Sequence, residues 1–255
     1  MRGLKDRVVI VTGGGGGIGT AVCRRFGEEG ANVAVFDLNA VAAEQTAVAI
    51  RGAGGRAKAY AVDITDQARV NTAVAEVERD LGAVDVLVNN AGWDQGANFL
   101  DTDKALWEKI VAINCHGPLN MHHAVLKGMN ARGRGRIVNI ASDAGRVGSS
   151  GEAVYSFCKG GLIAFTKTLA REFAKKQLNI NVVCPGPTDT PMFRDFCGEG
   201  EYGDKLRAGL SRSIPFGRLG RPDDLPGAVC FLASDDAAFI TGQVLSVSGG
   251  LTMHG

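Results

Sequence analysis

The stretch RVVIVTGGGGGIG, Arg7 to Gly19, decides how the rest of the chain is read. Its first half is a β-branched run, the pattern of a short buried strand. Five glycines follow at once, and Gly19–Gly30 then carries Ala21, Val22 and Phe26 on one helical face. A glycine loop between a strand and a helix turns backbone N–H groups and a helix N-terminus toward whatever binds, which favours phosphate. Gly14, Gly16 and Gly19 fit GxGxxG, and Gly13, Gly17 and Gly19 fit GxxxGxG. A run of glycines matches many patterns, so a flexible turn is the competing reading. Context decides. The next strand, Asn32–Asp37, ends in an acid 18 residues after Gly19, where a dinucleotide fold places the carboxylate that accepts the ribose hydroxyls. That carboxylate repels a 2′-phosphate, and no Arg or Lys stands among Gly13–Gly19. The loop with Asp37 therefore points to NAD rather than NADP.

Outward from the loop, strand and helix patterns alternate. Helices are expected over Ala40–Ala53, Asp66–Leu81, Lys104–Met129 with a break near Gly117-Pro118, Tyr155–Lys176 and Asp223–Leu232. Strands are expected over Arg56–Val62, Val84–Asn89, Gly135–Ile140, Asn179–Val183 and Gln243–Val247. Strict alternation with mostly apolar strands predicts right-handed βαβ units and a parallel sheet covered on both faces. The expected fold is α/β: a single-domain Rossmann-type doubly wound sheet over residues 1–255, with about seven strands. Pro185–Leu219 is the one long irregular stretch, and a substrate lid is expected within 186–219.

Composition supports this reading. Of 255 residues 36 are glycine, about twice the usual share, and they sit at the ends of apolar runs. A formal net charge of +1 argues against nucleic acid as a partner. No apolar run reaches the ~18 residues of a membrane span, and the first apolar run leads into glycines rather than a cleavage site. The cysteines at 23, 115, 158, 184, 197 and 230 form no CxxC pair. Free thiols in a reducing, cytoplasmic setting fit this spacing.

The second chemical signal is Tyr155 with Lys159, in YSFCK. Four residues apart on a helix, they share a face. A phenol is a poor proton carrier at neutral pH unless a nearby cation stabilises its anion. Such pairs also occur on solvated surfaces, so the pair alone says little. Ser142 ends the preceding strand and would stand at the carboxyl edge of the sheet, where such folds bind ligands.

With these residues the chain resembles the short-chain dehydrogenase/reductase family over essentially its whole length. The matching features are Gly13, Gly17, Ile18 and Gly19 of TGGGGGIG, Asp37, Asp63, NNAG at 89–92, Asn114, Ser142, YSFCK and PGPTDT at 185–190. Ser142 lies 13 residues before Tyr155, the usual family spacing. The resemblance implies Tyr155 as proton donor and acceptor, Ser142 as the group positioning the substrate oxygen, and Lys159 on the nicotinamide ribose. It implies that Asn114 holds a water of the proton relay. It also implies that Asp63 and Ile64 contact adenine, that Asn90 and Gly92 lie along the cofactor, and that Pro185, Thr188 and Thr190 flank the carboxamide and phosphates. The family needs no catalytic metal and usually forms homotetramers, through Lys104–Met129, Tyr155–Lys176 and the apolar C-terminal Ile240–Gly255.

The substrate side is less generic. NNAGWD at 89–94 and GSSGEAVY at 148–155 resemble members acting on acyl-CoA-type substrates, which brings Trp93 and Ser149 to the pocket beside Ser142 and Tyr155. Ser142 is followed by Asp143 where many relatives carry a second serine. Trp93 lines the pocket or simply packs. Cys158 reads as a packing residue, and His116, His122 and His123 as a helix face at a subunit contact. Arg146 reads as solvated rather than bound to a CoA phosphate, and Arg194, Arg207 and Arg212 are further candidates for that rim. Three functions are consistent with the chain: oxidation of a hydroxyacyl thioester with NAD, the reverse reduction of a 3-oxoacyl thioester, and non-catalytic dinucleotide sensing on the same fold. The intact Tyr–Lys pair argues against the last.

Overall fold

A computed structural model describes residues 1–253. The strands are β1 Val8–Thr12, β2 Asn32–Asp37, β3 Arg56–Ala61, β4 Val84–Asn89, β5 Gly135–Ile140, β6 Leu178–Pro185 and β7 Val244–Val247. All neighbouring pairs are parallel, in the order β3-β2-β1-β4-β5-β6-β7. The helices are α1 Gly17–Glu28, α2 Ala40–Gly52, α3 Gln67–Asp80, α4 Lys104–Val111, α5 Gly117–Arg132, α6 Ala144–Val147, α7 Ala153–Glu172, α8 Pro191–Cys197, α9 Gly200–Ser213 and α10 Pro226–Ala233.

Alternation along each strand sorts side chains to opposite faces. Val9, Val11, Val33 and Val35 pack with Val22, Phe26, Ile50 and Val229 on one side. Val8, Ile10, Ala34 and Phe36 pack with Val70, Val77, Met121 and Met129 on the other. The chain reverses direction across the sheet between β1 and β4. That switch point opens a crevice at the carboxyl ends of the strands, where ligands of such folds bind. No described helix is long and apolar enough to cross a membrane.

Two expectations are corrected. Pro185–Leu219 is not irregular: it holds α8 and α9. Thr190 caps α8 by accepting from Phe193 N–H at 3.2 Å, and Pro191 occupies the first turn, a start signal carried by the Thr-Pro pair itself. Gly198 and Gly200, both at positive φ, separate the two helices. The expected break at Gly117-Pro118 is also absent. A π-helical turn, Ala112–His116, joins α4 to α5, with Pro118 in the first turn of α5.

Candidate active site

The glycine loop closes tightly on itself. Gly13 takes φ +63°, a left-handed conformation that only glycine adopts without strain. A Cβ on Gly19 would stand 1.9 Å from the Gly13 carbonyl oxygen, so that close approach requires glycine. Asn90 braces the loop from β4 by donating its side-chain amide to the carbonyls of Thr12 and Gly13, at 3.0 and 3.2 Å. α1 starts at this loop with no side-chain cap and no acid in its first turn, which leaves its N-terminal N–H groups and dipole for an anion. Gly17 lies against the Thr190 methyl. Asp37 accepts from Gly15 N–H and Asn39 N–H, both at 2.9 Å, through different oxygens. Each oxygen keeps a further lone pair for a hydroxyl. Asp63 is exposed and ties Thr65, while the Ile64 side chain turns into the core against Gly117. Thr188 is buried and donates to the Gly186 carbonyl at 2.8 Å.

The crevice thus matches a dinucleotide on three counts: a cradle that side chains would fill, an open helix N-terminus, and a carboxylate two hydrogen bonds short of saturation. Gly13, Gly17, Ile18 and Gly19 would hold the pyrophosphate side, and Asp37 the ribose.

Beyond it, four residues from three parts of the chain converge. Tyr155 and Lys159 are buried one turn apart on α7, with the Lys159 nitrogen 5.3 Å from the centre of the Tyr155 ring. The ammonium donates to the Ile140 carbonyl at 3.0 Å, at the end of β5. Ser142 follows that strand, and its hydroxyl accepts from Ala144 N–H at 3.1 Å. Asn114 is fully buried in the π-helical turn, where it donates to the carbonyls of Trp93 at 2.7 Å and Ile110 at 2.9 Å. A Cβ on Gly92 would lie 3.0 Å from Asn114 Oδ1 and 3.3 Å from Lys159 Nζ. Gly92 therefore keeps open the space between the two groups.

Burial pushes the Tyr155 phenol up, and Glu152 and Asp94 add to it; the Ser142 hydroxyl pulls the other way. Burial lowers Lys159 to about 8. The lowering of the Tyr155 phenol expected from its spacing to Lys159 is thus outweighed, first by burial and then by the charges of Glu152 and Asp94.

This constellation on a parallel sheet has known counterparts. A family model described as Enoyl-(Acyl carrier protein) reductase matches residues 14–252. The chain is 38% identical over 250 residues to 2-(S)-hydroxypropyl-CoM dehydrogenase 3 of Xanthobacter autotrophicus, covering 98% of each chain. The chain belongs to the short-chain dehydrogenase/reductase family. It is also 40% identical over 245 residues to the acetoacetyl-CoA reductase of Rhizobium meliloti, covering 96% of this chain and 98% of that one. Among solved structures, NAD+-bound xylitol dehydrogenase superposes with a TM-score of 0.93 at 33% identity, over 98% of this chain and 100% of that one. Relatives in this dehydrogenase/reductase family act on hydroxyl or oxo groups, and this chain is an oxidoreductase of that kind.

Around the family core the structure places the remaining candidates. Trp93 both packs and lines: it is half-buried beside Ile110 and Tyr155, with the Lys109 ammonium 3.6 Å from its ring centre. Outside it lies a groove of about 510 Å³. Ser149 is exposed. Cys158 is fully buried and touches Cys115. Arg146, expected in solvent, instead donates to Ser246 at 2.8 Å, and Ser246 donates to Asp143 at 2.6 Å. The departure at Asp143 therefore braces the end of β5 against β7, not the pocket wall. Two other arginines of the expected rim hold carboxylates: Arg194 pairs with Asp189 and Arg207 with Asp204. His122, expected on a helix face, is core: its Nδ1 donates to the Pro118 carbonyl at 2.7 Å, and Asn139 donates to its Nε2 at 3.3 Å. His116 and His123 are exposed.

Sequence reasoning put the stretches at 89–94 and 148–155 at the pocket but did not single out the carboxyls of Asp94 and Glu152 within them. One signal was available: Glu152 stands three residues before Tyr155, one helical turn away.

Proposed function

We propose that the protein oxidises the secondary alcohol of a β-hydroxyacyl-CoA with NAD, and that its substrate is 2-hydroxycyclohexane-1-carbonyl-CoA, converted to 2-oxocyclohexane-1-carbonyl-CoA. The observation that carries the chemistry is the convergence of Ser142, Tyr155, Lys159 and Asn114 beside the glycine cradle. Support for the acyl group comes from the stretches around Trp93-Asp94 and Ser149–Tyr155, which resemble 2-hydroxycyclohexane-1-carbonyl-CoA dehydrogenase. Support for NAD comes from Asp37, with no cation in the loop before it.

When bound, NAD supplies the hydride acceptor. The protein handles the oxygen and the proton. Ser142 donates to the substrate oxygen and holds it as charge develops. Tyr155 takes the hydroxyl proton; because burial holds its phenol up, it acts as phenolate only with the Lys159 charge beside it. The Lys159 ammonium lies beside the ring and stabilises that phenolate, and Asn114 positions the water through which the proton leaves. Trp93, Val147 and α8 give an apolar ring cover from water. α8 serves as the lid: a Cβ on Gly96 would stand 2.7 Å from the Phe196 ring, so helix and loop already meet. The groove outside Trp93 has room for a long polar arm.

The kinship to acetoacetyl-CoA reductase favours a second reading, reduction of a 3-oxoacyl thioester at the same site. Asp37 speaks against it where the reductant is NADPH. A panel of hydroxyacyl-CoA esters, 3-oxoacyl thioesters and free alcohols, followed by NADH absorbance, tests both. Oxidation of the cyclic hydroxyacyl-CoA well ahead of the others is expected, and a faster free alcohol overturns the CoA assignment.

We also propose a homotetramer. Phe157 on α7 is 72% exposed and Leu119 on α5 is 46% exposed, and a shared two-fold contact would cover them. Of the C-terminal segment expected to join in, residues 254 and 255 lie outside the described residues. A monomer by light scattering at micromolar concentration refutes the assembly.

A further inference from the structure

Ser142 stands two residues past the end of β5, where the strand alone no longer fixes it. Backbone bonds continue on either side of it. Ala141 N–H donates to the Val183 carbonyl at 2.8 Å, and Asp143 N–H to the Pro185 carbonyl at 3.0 Å. Those bonds tie Ser142 to β6. The side chain of the next residue carries the tie on to β7. Asp143 Oδ1 accepts from the Ser246 hydroxyl at 2.6 Å, and the Ser246 oxygen accepts from the Arg146 guanidinium at 2.8 Å. Arg146 lies in α6, and its N–H donates back to the Asp143 carbonyl at 2.9 Å. Asp143, Ser246 and Arg146 thus close a ring around the bend that follows Ser142. On its other side α6 is pressed against α7. A Cβ on Gly145 would stand 2.7 Å from the Lys159 carbonyl carbon.

The ring is costly to keep. Asp143 is 5% exposed, and its second oxygen, Oδ2, is closed to solvent with no partner among the described residues. That oxygen faces Gly186, 3.6 Å from where a Cβ would stand. A half-answered carboxylate is expensive to bury, and such local violations concentrate at functional sites. We propose that Asp143, through Ser246 and Arg146, is a positioning residue for the reaction: the ring holds Ser142 in register with Tyr155 and Lys159, so that its hydroxyl meets the substrate oxygen. The proposal rests on the role given to Ser142 above. The three ring residues act through Ser142 rather than on the substrate. Opening the ring frees the bend to shift against α7, and a displacement of about 1 Å at a reacting group costs about 100-fold in rate. The loss falls on kcat, because Ser142 matters most as charge develops on the oxygen. The glycine cradle and Asp37 lie at β1 and β2, so NAD affinity is spared.

The test is a double-mutant cycle of Asp143→Ala with Ser142→Ala in the intact enzyme, read on the fastest alcohol of the panel above. Asp143→Ala should lower kcat by about 30-fold. It should leave KM, and the NAD dissociation constant by titration calorimetry, within about twofold. In the Ser142→Ala background the same change should cost less than about threefold, because the group it positions is gone. Ser246→Ala should lower kcat in the same way, and Ser246→Thr, which keeps the hydroxyl, should recover most of that loss. This second pair serves as the test where thermal melting shows that Asp143→Ala does not fold. Equal losses from Asp143→Ala with and without Ser142 overturn the proposal, since a purely structural role acts alike in both backgrounds. So does a kcat within about twofold of the original in both Asp143→Ala and Ser246→Ala. The two readings fail separately. If Ser142→Ala loses turnover and the ring variants do not, the proposal alone falls; if Ser142→Ala keeps its turnover, the role given to Ser142 falls and takes the proposal with it.

Discussion

The loop after β1 and the loop after β4 lie side by side at the switch point of the sheet, and they hold their shapes by different means. The first is shaped by close backbone packing, with the Asn90 amide and the Asp37 carboxylate as its side-chain braces. Its glycines approach so closely that a single Cβ on Gly19 would meet the Gly13 oxygen at 1.9 Å. The second, from Ala91 to Asn98, is held by side chains from elsewhere: Asn114 binds the backbone of Trp93, Phe196 covers Gly96, and Glu152 faces Asp94. The first loop therefore presents fixed dipoles to a constant ligand. The second presents titratable groups whose charge depends on their neighbours, which suits a variable one. Cofactor affinity should thus respond to backbone changes, and substrate choice to charge changes.

The largest effect is expected on the side-chain half. Tyr155→Phe keeps the ring packing and removes the acid–base group, so turnover should fall by about 1,000-fold or more with NAD affinity little changed. Near-normal turnover in stopped-flow assays would break the division, since proton transfer would then lie elsewhere. On the backbone half, Gly19→Ala should weaken dinucleotide binding on the order of 300-fold by titration calorimetry, while the charge-conserving change Asp37→Glu leaves the loop shape intact. If Gly19→Ala binds normally, the cradle is less rigid than its contacts indicate.

A third measurement probes the support beneath both loops. His122 joins Asn139 of β5 to Pro118 of α5, and burial lowers its pKa to about 4 from 6.5. Between those values the unfolded chain binds a proton at this ring and the folded chain does not. Stability should therefore fall as the pH drops from about 6.5 toward 4, by up to about 3 kcal/mol from this group. Urea titrations at pH 7, 5.5 and 4.5 check this, and His122→Asn should flatten the slope. The smallest effect sharpens the cofactor assignment: Asp37→Ala should weaken NAD binding by about 10-fold and lessen the discrimination against NADP. A preference for NADP in the unaltered protein would overturn the reading of Asp37.

The parallel sheet, its helices, the glycine loop and the Tyr–Lys pair were legible without coordinates. Each depends on a local rule: period two or 3.6, a glycine where no Cβ fits, or two side chains four residues apart on a helix. α8 obeyed such a rule as well, in Thr190-Pro191, and was hidden only by the glycines around it. The π-helical turn was not legible. Gly117-Pro118 signals a break locally, but the backbone stays right-handed helical from Val111 through Gly117, and the π-helical turn aims Asn114 at Trp93. What tertiary structure alone decided is electrostatic. Arg146 left solvent for Ser246, His122 left the surface for the core, and Tyr155 gained two carboxyl neighbours, one of them from the loop after β4. Burial and charge at a residue are set by what other parts of the chain bring to it, and sequence spacing holds no record of that distance.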